Sequence, residues 1–439
     1  MTEITSPATA TPEVSGTRGL TAAQRRRVLA GSIGNLVEYV DWALFATFTP
    51  VFAPHFFPSD DPIAGVLATL VVFAVGFVMR PVGGAVLGVL ADRVGRKRIL
   101  TLTVLLMSGA SFVIGLCPGY ETIGVAAPIV LVVARLVQGF SAGGEAGSSM
   151  TFLVESAPTG RRAFIGSFQQ VSTGAGLLVA SLLGTVLTAT FSAGALDSWG
   201  WRLAFVIGGV LGLVGIWLRN GVPETEHFTQ AQETTGQKRA HPIVDLFRHH
   251  PKAALRAFGI TIPATVVNYM WLTYMPVYAH TTQGIPLDQA LLANSIALAV
   301  YCVTLPFVGR LSDRIGRKPF FLVFSVGFMV LPWPAFHFLS ADFWVLLVIE
   351  LIGVLLLACD SAIIAAAYSE LFPVEVRTTG TALCFAAAVA AFGGTAPYIM
   401  TSLFAHGLSG FVWLYVAIAA AIGTVFFATL PETKDKELS

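Results

Sequence analysis

The chain reads as an all-α membrane protein of twelve helices, arranged as two pseudo-symmetric six-helix bundles. Three observations predict this. The 439 residues are 55% hydrophobic and only 12% charged, with a mean hydropathy of +0.75, whereas a soluble domain carries roughly 25% charge. The apolar residues fall in long blocks, and about 20 such residues cross a bilayer as a helix. Finally, the stretch Gly88-Val-Leu-Ala-Asp92-Arg93-Val-Gly95-Arg96-Lys97 recurs 221 residues later as Gly309-Arg310-Leu-Ser-Asp313-Arg314-Ile-Gly316-Arg317-Lys318. A duplication at half the chain length is the mark of an internal repeat.

In chain order, residues 1–24 are rich in Thr, Ser, Ala, Pro and Glu and hold no apolar run; such a segment cannot bury a core. Glu3 and Glu13 stand where a signal peptide would be basic, so the segment reads as a cytoplasmic tail. Arg25-Arg26-Arg27 then abuts the first apolar block. Spans are expected at 28–54, 63–91, 99–117, 124–155, 163–191 and 200–219, then at 253–279, 288–309, 319–339, 343–371, 378–404 and 409–430. In each copy of the duplicated stretch, the apolar run is expected to stop at Gly88 or Gly309 and a tight charged loop to follow. The long hydrophilic break at 220–252 divides the chain into bundles at 25–219 and 253–430, with a closing tail at 431–439.

Lys and Arg placement sets the orientation. With the N-terminus inside, 23 of the 26 basic residues fall on cytoplasmic segments. Arg202 sits at an external rim, and Arg80 and Arg135 lie within spans. Both termini are therefore expected in the cytoplasm, in a cell inner membrane. Further paired landmarks support the repeat. Glu155-Ser-Ala-Pro158 before Arg162 matches Glu370-Leu-Phe-Pro373 before Arg377, Val222-Pro-Glu-Thr225 matches Leu430-Pro-Glu-Thr433, and Arg135 and Glu145 fall opposite Glu350 and Asp360.

Several function classes are excluded. The basic residues are sorted by loop and form no nucleic-acid patch. No Gly-Lys dipeptide occurs, so there is no P-loop and no ATP-driven pump. Cys117, Cys302, Cys359 and Cys384 sit singly in apolar blocks, as packing residues do. No metal, cofactor or enzymatic chemistry is expected.

Ionisable side chains inside spans are costly and so become candidates for function. Glu38 and Asp41 share one face of the first span, with Asn35 a turn earlier. Glu38 lies roughly 15 Å from the cytoplasmic edge, near the midplane. Two carboxylates that close titrate as a coupled pair, which suits a proton carrier; a structural carboxylate held by a neighbouring cation is the alternative. Arg135 reaches a similar depth with Gln138 on its face. It should pair with Glu38, with Asp41 or with substrate, because a buried guanidinium is not left alone. A switchable pair and a permanent one both fit. Arg80 is roughly 18 Å inside, and its fork suits a carboxylate substrate or tethers helices within the first half. Arg202, after Trp199 and Trp201, either meets substrate or anchors the interface. In the seventh span Tyr269 and Tyr274 are central, although five residues apart in an α-helix they do not share one stripe. Gln169 is a further cavity candidate. Glu350 and Asp360 pair locally or help to form gates.

The repeated Gly-x-Leu-x-Asp-Arg-x-Gly-Arg-Lys loop, Arg135-Leu-Val-Gln138-Gly139 and the Pro-Glu-Thr half-ends resemble the major facilitator superfamily. A narrower likeness is to its metabolite:H⁺ symporter family. It rests on Gly34-Asn35-Leu-Val-Glu38-x-x-Asp41, Phe77-Val-Met79-Arg80-Pro81-Val-Gly83-Gly84, Gln138-Gly-Phe-Ser-Ala-Gly143-Gly144-Glu145 and Trp199-Gly-Trp201-Arg202. The tract 73–155 looks closest to the 2-oxoglutarate and citrate permeases. Where that family usually has Glu-Trp-Tyr/Phe-Asp-Phe, this chain has Glu38-Tyr39-Val40-Asp41-Trp42. The resemblance implies a monomeric proton-coupled transporter of a small organic anion, working by alternating access. It implies cytoplasmic gating by Gly88, Asp92, Arg93 and Arg96 and by Asp313, Arg314 and Arg317. A proline/betaine or shikimate-like substrate and a passive facilitator stay open.

Overall fold

A computed structural model describes residues 22–220 and 242–434, apart from 95, 144, 145, 156, 159 and 375. Side chains are described from 34 onward, except at 88, 89, 91–97, 100, 146–149, 152, 218–220 and 242. The side chains of Asp92, Arg93 and Arg96, together with Glu145, the tail before 22 and most of the 220–252 break, therefore lie outside the described residues, and of Gly88 the backbone alone is described.

The twelve spans are α1 (Ala22–Phe56), α2 (Pro62–Val94), α3 (Arg96–Leu116), α4 (Ala126–Ala142, continued by Ala146–Glu155), α5 (Arg162–Thr190) and α6 (Trp201–Asn220) in the first half. The second half holds α7 (Pro251–Asn268, a π-helical turn Tyr269–Tyr274, then Met275–Gln283), α8 (Leu287–Ile315) and α9 (Lys318–Val330 with Pro332–Phe338). It closes with α10 (Phe343–Ser361 and Ile364–Leu371), α11 (Arg377–Ala388, a π turn Val389–Gly393, Ala396–Ala405) and α12 (Val412–Thr429). Large apolar side chains such as Val78, Leu116, Trp217, Phe307, Val330 and Trp344 point outward. That is the reverse of a soluble protein's economy and suits a lipid surrounding.

Small residues set how closely the helices approach. On α4, Gly139 and Gly143 lie one turn apart against the backbone of α2. A Cβ on Gly139 would overlap the Gly76 carbonyl, and one on Gly143 the Arg80 carbonyl. This contact fixes Arg80 and Arg135 on adjoining helices. Between the halves, α5 lies along α8. Ser181 donates to the Leu291 carbonyl at 2.9 Å, Ser295 donates to Ser181 at 3.0 Å, and Gly174 leaves room for Tyr301 and Cys302.

The charged loops expected directly after Gly88 and Gly309 are not loops: α2 runs on through Asp92 to Val94. α8 continues through Asp313 to Ile315, and the turn comes at Gly316, whose φ of 124° is a conformation other residues rarely adopt. Ser312 and Asp313 are thereby presented from a rigid helix end.

The expectation that Tyr269 and Tyr274 diverge is also corrected. π-helical bonds close at i→i+5, so residues five apart come nearly into line. Both rings face α11: a Cβ on Gly393 would meet Tyr269, and the Tyr274 hydroxyl pairs with that of Thr401. Irregular backbone of this kind is tolerated at membrane depth where protein surrounds it.

Candidate functional site

Two ion pairs lie in the middle of the first half. Arg80 Nη2 on α2 meets Glu38 Oε1 on α1 at 2.8 Å. Arg135 Nη1 on α4 lies 3.6 Å from Asp41 Oδ2. All four side chains are buried, Arg135 completely and the others at 3% exposure or less. The paired acid and arginine types were legible in the sequence; the assignment of Glu38 to Arg80 and of Asp41 to Arg135 was not. Although the acids lie three residues apart on α1, they do not form the expected carboxylate pair: Glu38 is held by Arg80 of α2 and Asp41 by Arg135 of α4.

The Asp41 side is a closed ring. Arg135 Nη1 donates to Gln138 Oε1 at 2.8 Å, Gln138 Nε2 donates to Ser111 Oγ at 3.2 Å, and Ser111 donates to Asp41 Oδ1. Ser111 on α3 was missed by sequence reasoning, because a serine in an apolar block carries no signal of its own. Trp42 separates the two arginines: the Arg80 guanidinium lies 4.6 Å from its ring centroid and that of Arg135 4.0 Å. Phe77 also stacks on Arg80 and Phe45 on Arg135. These aromatic faces offset part of the desolvation of two buried cations.

From the second half, Tyr269 comes within electrostatic reach of Arg80, Glu38 and Tyr39, its ring against Phe77 at 5.2 Å. The site therefore bridges the halves. Several of its donors are unused. Arg80 Nε, Arg135 Nε and Nη2 and Trp42 Nε1 make no hydrogen bond among the described residues. Buried donors without acceptors are costly, and a cluster of them has the chemistry to hydrogen-bond an anion.

The remaining sequence candidates lie elsewhere. Gln169 uses its carbonyl to accept from Asn35 Nδ2 at 3.3 Å, and its buried side-chain Oε1 has no hydrogen-bond partner among the described residues. Arg202 is remote from the arginine pair. Its Nη1 donates to the carbonyls of Gly115 and Cys117, and its guanidinium stacks on Trp201 at 4.3 Å. It caps the C-terminal end of α3, where carbonyls lack helical donors and a cation meets the negative end of the dipole.

At the face where the chain ends, a second network ties the halves together. Asp313 on α8 accepts from the Ala163 and Phe164 amides at 3.0 and 2.9 Å, the exposed donors at the start of α5. Arg317 holds Asp313 at 2.9 Å and Glu370 at 3.1 Å, and Arg162 reaches Glu370 across the halves at 3.7 Å. Arg377 pairs with Glu155 at 2.9 Å. Arg314 is exposed, and it joins through its carbonyl, which accepts from Lys434 Nζ. Glu432 accepts from the Arg317 and Lys318 amides at 2.9 and 3.1 Å. Partial burial would raise its carboxyl, but these backbone donors outweigh that and hold it below the ordinary glutamate value. The hub, Glu370, was passed over as a landmark. The common spacing of Glu155 to Arg162 and Glu370 to Arg377 was the available signal.

The comparisons with known proteins agree with this architecture. The model of the Major Facilitator Superfamily matches residues 31–301 and 284–439. The chain is 37% identical over 409 residues to the alpha-ketoglutarate permease of Escherichia coli (strain K12), covering 92% of this chain and 94% of that one. It is 33% identical over 432 residues to the proline/betaine transporter of the same organism, covering 94% and 85%. The xylose transporter XylE from E. coli, solved in a partially occluded inward open conformation, superimposes with a TM-score of 0.74 at 20% identity, covering 95% and 100%; this is a likeness of fold. The chain is a multi-pass membrane protein of the major facilitator superfamily, within its metabolite:H⁺ symporter family.

Proposed function

We propose that this chain is a proton-coupled symporter that imports a small organic anion, a di- or tricarboxylate such as 2-oxoglutarate or citrate, by alternating access. The observation that carries the reading is the donor-rich, acid-locked centre. Arg80 and Arg135 present unused donors, while Glu38 and Asp41 occupy the same guanidinium groups. Protonating an acid removes its negative charge and weakens its hold on the arginine. The fork then becomes available to a substrate carboxylate, for which bidentate arginine is suited. Proton and anion thus favour the same loaded state, which is the basis of symport.

With both termini in the cytoplasm of a cell inner membrane, as the basic loops indicate, the Asp313, Arg317, Glu370, Arg162, Arg377 and Glu155 network is the inner gate. Its bonds between halves must break for the inward-facing state. Bundles at 25–219 and 253–430 rock about the α5 and α8 contact as a monomer in the bilayer.

A zwitterionic osmolyte is the second reading. The Trp42, Phe77 and Tyr269 faces could receive a quaternary ammonium, and the proline/betaine relative points the same way. Proteoliposomes holding the purified chain decide between them. Under an imposed inward proton gradient, labelled 2-oxoglutarate or citrate should accumulate and labelled betaine should not. Uptake of every probe that is indifferent to collapsing the gradient would reject symport.

A further inference from the structure

The second half contains an acid that the pairs at the centre do not use. Asp360 on α10 is 1% exposed, and its Oδ1 has no hydrogen-bond partner among the described residues. It sits where α10 is interrupted: the helix stops at Ser361 and resumes at Ile364. The sequence raised the prospect of a local pair with Glu350. The two do not pair, since ten residues of helix separate them by about 15 Å.

The titratable groups within electrostatic reach of Asp360 are Tyr301 on α8, Tyr368 on the resumed part of α10, and Cys359 beside it in sequence. Neither α7 nor α9 offers a counter-ion at this depth, because Lys252, Arg256 and Lys318 all lie within two turns of their basic ends. Cys302 lies next to Tyr301. Among the described residues no cation neutralises the carboxylate, and burying it charged without one is costly.

Tyr301 lies within electrostatic reach of Asp360 and of Tyr39, and Tyr39 within reach of Arg80 and Glu38. The Tyr301 hydroxyl is buried without a hydrogen-bond partner among the described residues, whereas the Tyr368 hydroxyl is taken up by Thr261 and the Ala257 carbonyl at 2.9 Å. Tyr301 belongs to the second half and Tyr39 to the first, so this set of groups crosses between the halves beside the α5 and α8 contact, where Gly174 packs on Tyr301.

We propose that Asp360 is a second proton-carrying carboxylate of the transport cycle, linked through Tyr301 and Tyr39 to the Glu38 and Arg80 pair. It rests on the reading of the protein as a proton symporter. During the cycle the Asp360 carboxylate would accept a proton, hold it as the carboxylic acid while enclosed, and release it to water when the halves separate and water reaches the α10 interruption.

Two measurements test this on the purified full chain. In the first, infrared difference spectra are recorded as pH is taken from acidic to alkaline, without substrate. The protonated-carboxyl signal should contain a component lost in D360N and kept, at a shifted position, in D360E. A D360N spectrum identical to wild type would overturn the proposal. In the second, reconstituted D360N should keep counterflow of labelled 2-oxoglutarate but accumulate no more of it under a proton gradient than a gradient-free control. Y301F should show the same split more weakly. Accumulation by D360N equal to wild type, or equal loss of counterflow and accumulation in a folded D360N, would overturn it. Should D360N fail to fold, D360E decides: the pH profile of uptake should move, and a profile superimposable on wild type overturns the proposal. If wild type itself accumulates no 2-oxoglutarate, the functional reading falls, and the infrared component still reports on Asp360.

Discussion

The two halves repeat one architecture and use it differently. In the first half each central arginine is matched by a carboxylate, Arg80 by Glu38 and Arg135 by Asp41. The position 215 residues after Arg135 holds Glu350, which is fully buried with neither carboxylate oxygen hydrogen-bonded among the described residues. The described Lys and Arg residues of the second half are confined to the ends of its helices, where Arg377 reaches Glu155 of the first half and Arg317 holds Asp313 and Glu370, which themselves meet the first half. Duplication preserved the helices and the terminal landmarks, and left the buried charges free to diverge. The described buried guanidinium groups at the membrane centre therefore belong to one half, and the charge pairs between the halves sit at the terminal face.

Substitutions can break that contrast, and the largest effect is expected at Arg135. Arg135→Met leaves Asp41 buried without a cation, which should cost about 3–5 kcal/mol. Thermal unfolding in detergent should show the loss, together with abolished 2-oxoglutarate binding by calorimetry; the same change in a variant that also carries Asp41→Asn should be milder. Next comes Glu38→Gln, which removes the titrating group and keeps the shape. Gradient-driven accumulation should vanish while counterflow persists, and undiminished accumulation would remove Glu38 from proton coupling.

The latch should respond more modestly. Glu370→Gln loses the charge-assisted hydrogen bonding with Arg317, worth about 1.5–3 kcal/mol, and weakens the longer pair with Arg162. The terminal face should then open more often, read as faster hydrogen exchange at the Ala163 and Phe164 amides. The smallest effect is expected at Glu432, which caps α9. Glu432→Ala should cost about 1 kcal/mol, the usual worth of a lost cap. The wild-type contribution has a defined sign with pH. The folded carboxyl lies below its unfolded value, so its stabilisation is present above the ordinary glutamate range and is lost as acid takes it through the lowered folded value. The gap in unfolding temperature between wild type and Glu432→Ala should therefore close at low pH.

Much of the site was legible because membrane burial makes ionisable residues conspicuous. Glu38, Asp41, Arg80 and Arg135 stand out of apolar runs, and Gln138 lies one turn from Arg135. Ser111, Tyr301 and Glu370 were not legible as members of a network. Serine and tyrosine are unremarkable inside apolar helices, and a glutamate at a helix end looks like any loop charge. Their parts depend on which helix lies beside them. Arg202 illustrates the converse: its type and family motif invited a substrate role, and its neighbours turn out to be the last carbonyls of α3.

The sequence by itself determined the membrane setting, the number of spans, the repeat and the presence of buried acids and arginines. These follow from the free energy of placing each side chain in hydrocarbon or water, a property local to a segment. Only the tertiary structure decided that Glu38 faces Arg80 while Asp41 faces Arg135. It also decided that α8 runs on to Gly316 and that a π turn brings Tyr269 and Tyr274 into line. Those outcomes depend on how closely two backbones approach and on which donors are left unpaired, and such distances exist only once all the helices are packed.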